Sequence, residues 1–207
     1  MRFKCVLALA PHTDDVELGC GGTLAQLVAE GSRVIVHAFS TCEESLPKEV
    51  PSNTLELEFN AAMKTLGINE FAVSEFPVRR LDEHRQGLLE QLREDNEIYN
   101  PDLVLMPAAS DLHQDHQVLH QEAIRCFKHT SCWGYELPWN NISFTASGFN
   151  SITADNLAKK CEAIAEYKTQ AQRGYTSVVA TNSLAITRGV QADTAFAEAF
   201  EVYRHYL

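Results

Sequence analysis

The stretch Phe3–Thr23, FKCVLALAPHTDDVELGCGGT, contains the pattern that decides the fold. Its short apolar run is typical of a buried strand, and its glycine-rich end is typical of the start of a closely packed helix. Between them lie an imidazole and two adjacent carboxylates, those of His12, Asp14 and Asp15. Adjacent carboxylates repel each other unless a positive charge lies beside them. The stretch therefore predicts a divalent cation at the end of the first strand.

Strand and helix patterns alternate along the rest of the chain. Strands are predicted where apolar and β-branched residues cluster, and helices where apolar residues recur with helical spacing. The predicted strands are 3–9, 33–39, 71–76, 102–106 and 131–137, and the predicted helices are 21–30, 54–66, 81–99, 114–128, 155–171 and 194–206. Residues 138–150 are expected to form a polar loop. The alternation predicts an α/β fold with a mostly parallel, doubly wound sheet.

Length and composition limit the classes of protein. With 207 residues, of which 45% are apolar and 22% charged, the chain is expected to form one domain over residues 1–207. Its net charge of −11 argues against nucleic acid or an anionic membrane as a partner. The N-terminal apolar run is too short for a signal peptide, and the six cysteines show no C-x-x-C pair. We therefore expect reduced thiols in a cytoplasmic protein, and the sequence is compatible with a homo-oligomer.

A second polar cluster, Asp111–His116 (DLHQDH), also follows a predicted strand. Because ligands bind outside the carboxyl ends of parallel strands, both clusters are expected at the same edge of the sheet. His12 and Asp15 can chelate one ion, and His116 would complete the three protein ligands that a catalytic zinc typically has. Each cluster alone is also typical of a turn or a helix cap. Their shared placement is what favours a metal site.

The other side chains of the two clusters are candidates for the chemistry. Asp14 would take a proton from the attacking water. His113, in its charged form, would meet the negative charge that develops on the substrate, and Asp115 would orient one of the ligand imidazoles. Nitrogen and oxygen ligands suit Zn²⁺, but they also accept Fe²⁺, Co²⁺ or Ni²⁺.

These motifs resemble those of the PIG-L/LmbE-like N-deacetylases. Pro11–Thr23 is similar to the family's PHPDDxExGCGGT motif, and His113–His116 (HQDH) is similar to its HPDH motif. Glu58–Gly67 is similar to the family's ExxxAAxxLG helix. The resemblance implies a Rossmann-like three-layer sandwich. It also implies zinc-dependent removal of the acetyl group from an N-acetylated amino sugar, or from a conjugate such as a nucleotide sugar or a glycoside.

Carried over by position, the resemblance gives each site residue a role. The zinc ligands would be His12, Asp15 and His116, and the general base would be Asp14. His113 would stabilise the tetrahedral intermediate or protonate the leaving amine.

Several positions depart from the family's motifs. Thr13 and Gln114 replace the usual prolines, and Cys42 replaces the glycine of a Thr-x-Gly-Glu motif. Tyr167–Gln170 (YKTQ) stands where the family has His-x-x-Gln. The last two departures lie in predicted substrate-facing regions and leave the substrate open. A metal-dependent amidase acting on a non-sugar or thiol-conjugate amide is the alternative function, and a binding protein without catalysis is a further one.

Two groups of side chains have two interpretations each. Trp133, Tyr135 and Trp139 suit the apolar face of a sugar, and they equally suit a half-buried strand. Arg79 and Arg80 suit a phosphate or carboxylate group, and they equally suit a solvated loop.

Overall fold

The first apolar run forms a strand whose side chains alternate between two cores. In β1 (Cys5–His12), Val6 and Ala8 pack into one core, and Leu7 and Leu9 pack into the other. Burial on both faces is typical of a central parallel strand covered by helices on each side. The computed structural model describes residues 3–206 of the chain.

Seven strands of the described chain form one sheet in the order β3-β2-β1-β4-β5-β7-β6. Beside β1, they are β2 (Arg33–Ser40), β3 (Glu70–Val73), β4 (Leu103–Pro107), β5 (Ser131–Tyr135), β6 (Gly148–Ser151) and β7 (Ala197–Arg204). Strands β1 to β5 pair in parallel, and β7 runs antiparallel to both β5 and β6. The predicted α/β fold with a mostly parallel, doubly wound sheet is confirmed.

Helices cover both faces of this sheet. Within residues 3–206 they are α1 (Asp15–Ala29), α2 (Thr54–Leu66), α3 (Arg85–Tyr99), α4 (Gln114–Cys126), α5 (Ala154–Ile164) and α6 (Val178–Gln191). Helices α1, α2 and α5 pack into the core on one face, and α3 and α4 pack into the core on the other. Helix α6 packs against β7 and α5. The result is the three-layer sandwich that the family resemblance implies.

The two polar clusters lie at the point where the strand order reverses. β1 pairs with β2 on one side and with β4 on the other. A crevice opens outside the carboxyl ends of two such strands, and ligands bind there in doubly wound sheets. His12 is the last residue of β1, and the second cluster lies between β4 and the first turn of α4.

Helix α1 begins at Asp15, six residues before the predicted start at residue 21. The glycines that suggested a later start lie inside the helix, where they permit close packing. A Cβ atom at Gly19 would collide with the ring of Tyr135. The early start places Asp15 in the first turn of the helix, directly beside the end of β1.

The C-terminal third differs most from the sequence prediction. The helix predicted for residues 194–206 is wrong, because residues 197–204 form β7, which is paired on both sides. Its alanines and glutamates favour a helix locally, but strand pairing and the burial of Phe200 override this preference. Sequence reasoning misses α6, whose first residues are valines, and β6, which falls in the predicted loop. Helix α5 also ends at Ile164, well before the predicted residue 171.

Two further properties of the chain bear on its expected class. Among the described residues, no helix is both long enough and apolar enough to cross a membrane. All six cysteines fall within the described range and are free thiols.

Candidate active site

Three side chains from the two clusters converge in the crevice. His12 Nδ1 lies 3.2 Å from Asp15 Oδ2, and His116 Nε2 lies 3.3 Å from the same oxygen. The two imidazole nitrogens are 3.2 Å apart. A tetrahedral ion held at about 2.0–2.1 Å from each atom would set these separations at roughly 3.3 Å. The three atoms therefore have the spacing that one zinc-sized ion requires.

The charges of this triad also suit a cation. Burial alone would lower the pKa of both imidazoles. The carboxylate of Asp15, together with the hydrogen bonds to Asp115 and Asp111, outweighs burial and raises the pKa of His12 to about 9 and of His116 to about 10. Burial would raise the pKa of Asp15, but the two imidazoles hold it well below its usual range. The triad thus favours positive charge strongly, and a divalent cation can take the place of the two protons.

Two carboxylates hold the imidazoles from behind. His116 Nδ1 lies 2.7 Å from Asp111 Oδ2, and His12 Nε2 lies 2.9 Å from Asp115 Oδ2. Hydrogen bonds of this kind orient a ligand imidazole and leave its other nitrogen for a metal. Sequence reasoning assigned no role to Asp111. Its position at the head of the second cluster, five residues before His116, is the signal that could have identified it.

Asp115 lies behind the site and does not line the cavity in front of it. It is fully buried, and it also accepts hydrogen bonds from the backbone N–H groups of Arg79 (2.6 Å) and Leu81 (3.2 Å). Arg79 has a left-handed φ of 66°, which is uncommon for a residue other than glycine. The carbonyl group of Arg79 is held in turn by the side chain of Gln114 at 2.9 Å. Asp115 therefore positions both His12 and the segment that carries Arg79.

The carboxylate of Asp14 does not cap helix α1. Asp14 is the N-cap residue of α1, yet its side chain makes no capping hydrogen bond. The helix-cap interpretation therefore does not account for it. Asp14 lines the cavity, and burial together with the neighbouring charge of Asp15 raises its pKa to about 6. A carboxylate with a raised pKa is a stronger proton acceptor than a solvated one.

His113 lies beside the triad and caps α4. Its Nδ1 accepts a hydrogen bond from the backbone N–H of Asp115 at 3.2 Å, so a neutral ring carries its proton on Nε2. Burial and the charges of His116 and His12 lower the pKa of His113 to about 4. This lowered pKa disfavours the charged form of His113 that the sequence prediction invokes. Its environment favours a neutral imidazole that donates from Nε2.

A second set of metal-binding atoms is present in the same place. His12, His113 and His116 each offer one ligand atom, and these atoms lie within 4.8 Å of one another. The set with Asp15 is tighter, since its separations are 3.2–3.3 Å. We therefore favour Asp15 as the third ligand.

A cavity of about 300 Å³ opens in front of the triad. Besides the two clusters, its walls include Trp139, Gln170, Arg173 and Tyr175, which sequence spacing does not connect to the site. Gln170 is only 9% exposed, and its Oε1 has no hydrogen-bond partner among the described residues. A buried acceptor of this kind is usually satisfied, so water or a bound molecule supplies its donor.

Of the aromatic and basic residues that the sequence suggested as substrate contacts, only some line the cavity. Of the three aromatic residues, Trp139 lines the cavity, whereas Trp133 and Tyr135 belong to β5. Arg79 also lines the cavity. Arg80 instead pairs with Glu83 at 2.7 Å on the exposed surface.

The loop that carries Gln170 and Arg173 is tied to the site by buried contacts. The hydroxyl group of Tyr167 contacts the carbonyl oxygen of Thr13 and lies 2.7 Å from Glu17 Oε1. Thr169 binds the carboxylate of Glu58 through its backbone N–H (3.0 Å) and its hydroxyl (2.6 Å). Tyr167 thereby fixes the residue between His12 and Asp14.

Replacing Tyr167 by phenylalanine should destabilise the fold by about 1–3 kcal/mol, because a buried carbonyl and a buried carboxyl group lose a partner. Denaturant unfolding would measure the change. Tyr206→Phe is the matched control, since that hydroxyl binds the carbonyl of Lys128 at an exposed position. We expect the control to cost less than about 0.5 kcal/mol. Equal losses in the two variants would contradict the tethering role of Tyr167.

The fold and the site together define a class of protein: a Rossmann-like α/β protein with two histidines and a carboxylate converging at the switch point of its sheet. The family model described as PIG-L, GlcNAc-PI de-N-acetylase, matches residues 7–127, and the chain belongs to this deacetylase family. The predicted family is therefore confirmed. Both polar clusters lie inside the matched region, and the cavity walls from Trp139 onward lie outside it.

Known proteins similar to the chain include deacetylases and one enzyme of another class. The uncharacterized deacetylase YaiS of Escherichia coli (strain K12) is 27% identical over 174 residues, which cover 81% of this chain and 92% of YaiS. The N,N′-diacetylchitobiose deacetylase of Pyrococcus horikoshii is 19% identical, with a TM-score of 0.78 over 97% of this chain and 84% of that one. GalB of Pseudomonas putida KT2440, a 4-carboxy-2-hydroxymuconate hydratase, is 18% identical, with a TM-score of 0.82 over 99% of this chain and 98% of GalB. At these identities the two solved structures show a shared fold and no more.

Proposed function

We propose that the chain is a zinc-dependent N-deacetylase that releases acetate from an N-acetylated amino sugar, or from a conjugate such as a nucleotide sugar or a glycoside. The observation that carries this proposal is the convergence of His12 Nδ1, Asp15 Oδ2 and His116 Nε2, which are 3.2–3.3 Å from one another. Beside them lies the carboxylate of Asp14, which makes no helix-capping hydrogen bond. Membership of the PIG-L family supports the reaction type.

His12, Asp15 and His116 would hold the ion. When bound, zinc supplies a Lewis acid that polarises an amide carbonyl and lowers the pKa of a water molecule towards ~7. Asp111 and Asp115 keep the two ligand imidazoles in the orientation that the ion needs.

Two cavity residues would act on the substrate directly. Asp14 takes the proton of the attacking water, since its raised pKa of about 6 leaves it ionised at neutral pH and still basic. It then gives that proton to the leaving nitrogen as the C–N bond breaks, which frees acetate and the amine. His113 donates from Nε2 to the oxygen of the amide carbonyl as negative charge develops there. The backbone N–H of Asp115 fixes this tautomer, because it occupies Nδ1 as an acceptor.

The remaining cavity walls suit a substrate rich in hydroxyl groups. The unpaired Oε1 of Gln170 accepts a hydrogen bond from a hydroxyl or an amide N–H group. Arg79 and Arg173 line the same cavity and supply donors. This polarity favours a sugar over a wholly apolar amide.

Acetate release from a panel of amides tests the proposal. The panel contains N-acetylglucosamine, its methyl glycoside, N,N′-diacetylchitobiose and a nucleotide sugar, together with N-acetylated amino acids and a thiol conjugate. We expect at least one acetamido sugar to exceed every non-sugar amide in kcat/KM by about ten-fold or more. The reverse order would support the alternative, a metal-dependent amidase on a non-sugar or thiol-conjugate amide. A zinc-loaded chain that releases no acetate from any member would contradict both.

Replacing Asp111 by asparagine should weaken metal binding by about 10–100-fold, because the amide holds His116 less strongly and makes it a weaker ligand. Competition with a chromophoric chelator measures the dissociation constant. Asp155→Asn, at the exposed start of α5, is the control and should leave it unchanged. A folded Asp111→Asn variant that binds metal as tightly as the wild type would refute this role.

A further inference from the structure

A second cavity, of about 460 Å³, adjoins the candidate active site. We name it the α6 groove, because one face of α6 forms much of its wall. The side chains that define it here are Leu18, Trp139, Tyr175, Ala180, Leu184 and Thr187. The first three also line the catalytic cavity, so the two cavities share a wall.

The α6 groove offers apolar surface and no available charge among the described residues that line it. Lys160 lies in its wall, but the ammonium group is buried and lies 2.6 Å from Glu198 Oε1. The same carboxylate accepts hydrogen bonds from the backbone N–H groups of Gly22 (3.0 Å) and Thr23 (2.6 Å). Since these charges neutralise each other, the groove favours a neutral apolar group over an anion.

A pair of stacked aromatic rings marks the boundary between the two cavities. The ring centroids of Trp139 and Tyr175 are 4.0 Å apart, with an angle of 14° between the ring planes. Trp139 remains 39% exposed, although it is a large apolar side chain at the edge of a polar cavity. Aromatic rings with an apolar face and a solvent-exposed polar edge are well suited to hold a ligand that is polar on one side and apolar on the other.

The sizes and positions of the cavities point to the chain's own substrate. The catalytic cavity of about 300 Å³ lies at the lower end of the ~300–1,000 Å³ that small-molecule sites occupy. A conjugate larger than one sugar needs adjoining space, which the α6 groove provides. Apart from Leu18, the lining residues lie outside the segment 7–127 that the family model matches. The groove therefore lies largely outside the part of the chain that the family model matches.

We propose that the α6 groove binds the aglycone of the substrate, and that this aglycone is an apolar alkyl or aryl group. The inference rests on the proposed function, because the N-acetylated sugar occupies the catalytic cavity while the apolar group lies past Trp139 and Tyr175. The occupant is thus part of the substrate, and the shared walls of the two cavities are the reason for choosing it over a separate molecule.

Comparing two glycosides of N-acetylglucosamine tests this inference. The methyl and octyl β-glycosides carry the same sugar, and both are used below the concentration at which the octyl compound forms micelles. We expect kcat/KM for acetate release to be about ten-fold or more higher for the octyl glycoside, mainly through a lower KM, because several methylene groups become buried. Equal values in the wild-type chain would overturn the inference and leave the deacetylase proposal standing.

Variants of α6 locate the effect. Leu184→Glu should abolish the octyl advantage and leave turnover of the methyl glycoside unchanged. Val190→Glu places the same charge on the same helix at a residue that is 76% exposed. It should change neither the octyl advantage nor the turnover of the methyl glycoside. Thr187→Leu should enlarge the octyl advantage about two- to five-fold, a gain that misfolding cannot produce. An unchanged preference in both groove variants would overturn the inference.

Binding without turnover separates this inference from the proposed function. Octyl β-glucoside has no acetamido group, so its affinity by calorimetric titration does not depend on deacetylation. Binding that Leu184→Glu weakens at least ten-fold supports the groove, even if no glycoside releases acetate and the proposed function fails. Equal binding by the two proteins overturns the groove. A change of oligomeric mass in Leu184→Glu, with equal loss on both glycosides, would show that a second copy of the chain covers it and would also overturn the inference.

Discussion

Replacing Asp14 by asparagine should lower the rate of acetate release by about 10²–10⁴-fold while the metal stays bound. Asparagine has nearly the same shape as aspartate but cannot accept the proton of the attacking water. The proposed ligand atoms belong to His12, Asp15 and His116, so their number does not change. Kinetics of acetate release and mass-spectrometric metal analysis of the same sample measure the two effects together.

The control for this variant is Asp155→Asn. Asp155 lies in the first turn of α5, as Asp15 does in α1, but it is exposed and does not line the cavity. We expect its kinetics and metal content to match those of the wild type. Full activity of Asp14→Asn would show that another group takes the proton. Loss of the metal would show that Asp14 is itself a ligand.

Replacing His116 by alanine should weaken metal binding by more than the ~10–100-fold that loss of a supporting contact costs, and should reduce acetate release to background. The change removes one of three converging atoms and leaves the buried carboxylate of Asp111 without its imidazole partner. Metal titration and acetate release report the outcome. Addition of excess zinc should restore little activity, because the ligand set is incomplete.

Two histidine variants of the same region serve as comparisons. His120 lies one turn further along α4 and binds the carbonyl of Pro107 at 2.9 Å, so His120→Ala should keep its metal. His113→Ala should also keep its metal and lose turnover, because we assign His113 to the substrate. If His113→Ala loses the metal while Asp15→Asn keeps it, the three-histidine set is the correct one.

The first five strands and the early helices could be predicted because their patterns are local. The short apolar run forms β1, the helical spacing of 54–66 forms α2, and α2 has the predicted bounds. Residues 197–204 could not be predicted in this way. Their local composition favours a helix, and only pairing with β5 and β6 makes them a strand.

The two clusters could be predicted to meet, because both follow parallel strands on either side of a reversal in strand order. The lowered pKa of His113 could not be predicted, since it arises from burial and from the charges of two other histidines that the fold brings beside it. Gln170 and Arg173 enter the cavity through a loop held by Tyr167 and Glu58. Contacts between such distant segments leave no spacing signal in a single sequence.

Stepwise reconstitution with zinc tests the central claim most directly. Metal-stripped protein receives zinc in increments, and acetate release from the best acetamido sugar of the panel is measured after each addition. We predict negligible release without metal and a rate that rises linearly to one bound zinc per chain. Full release by the stripped protein, or no release at one bound zinc per chain, would contradict the claim that this site is the centre of a metal-dependent deacetylase.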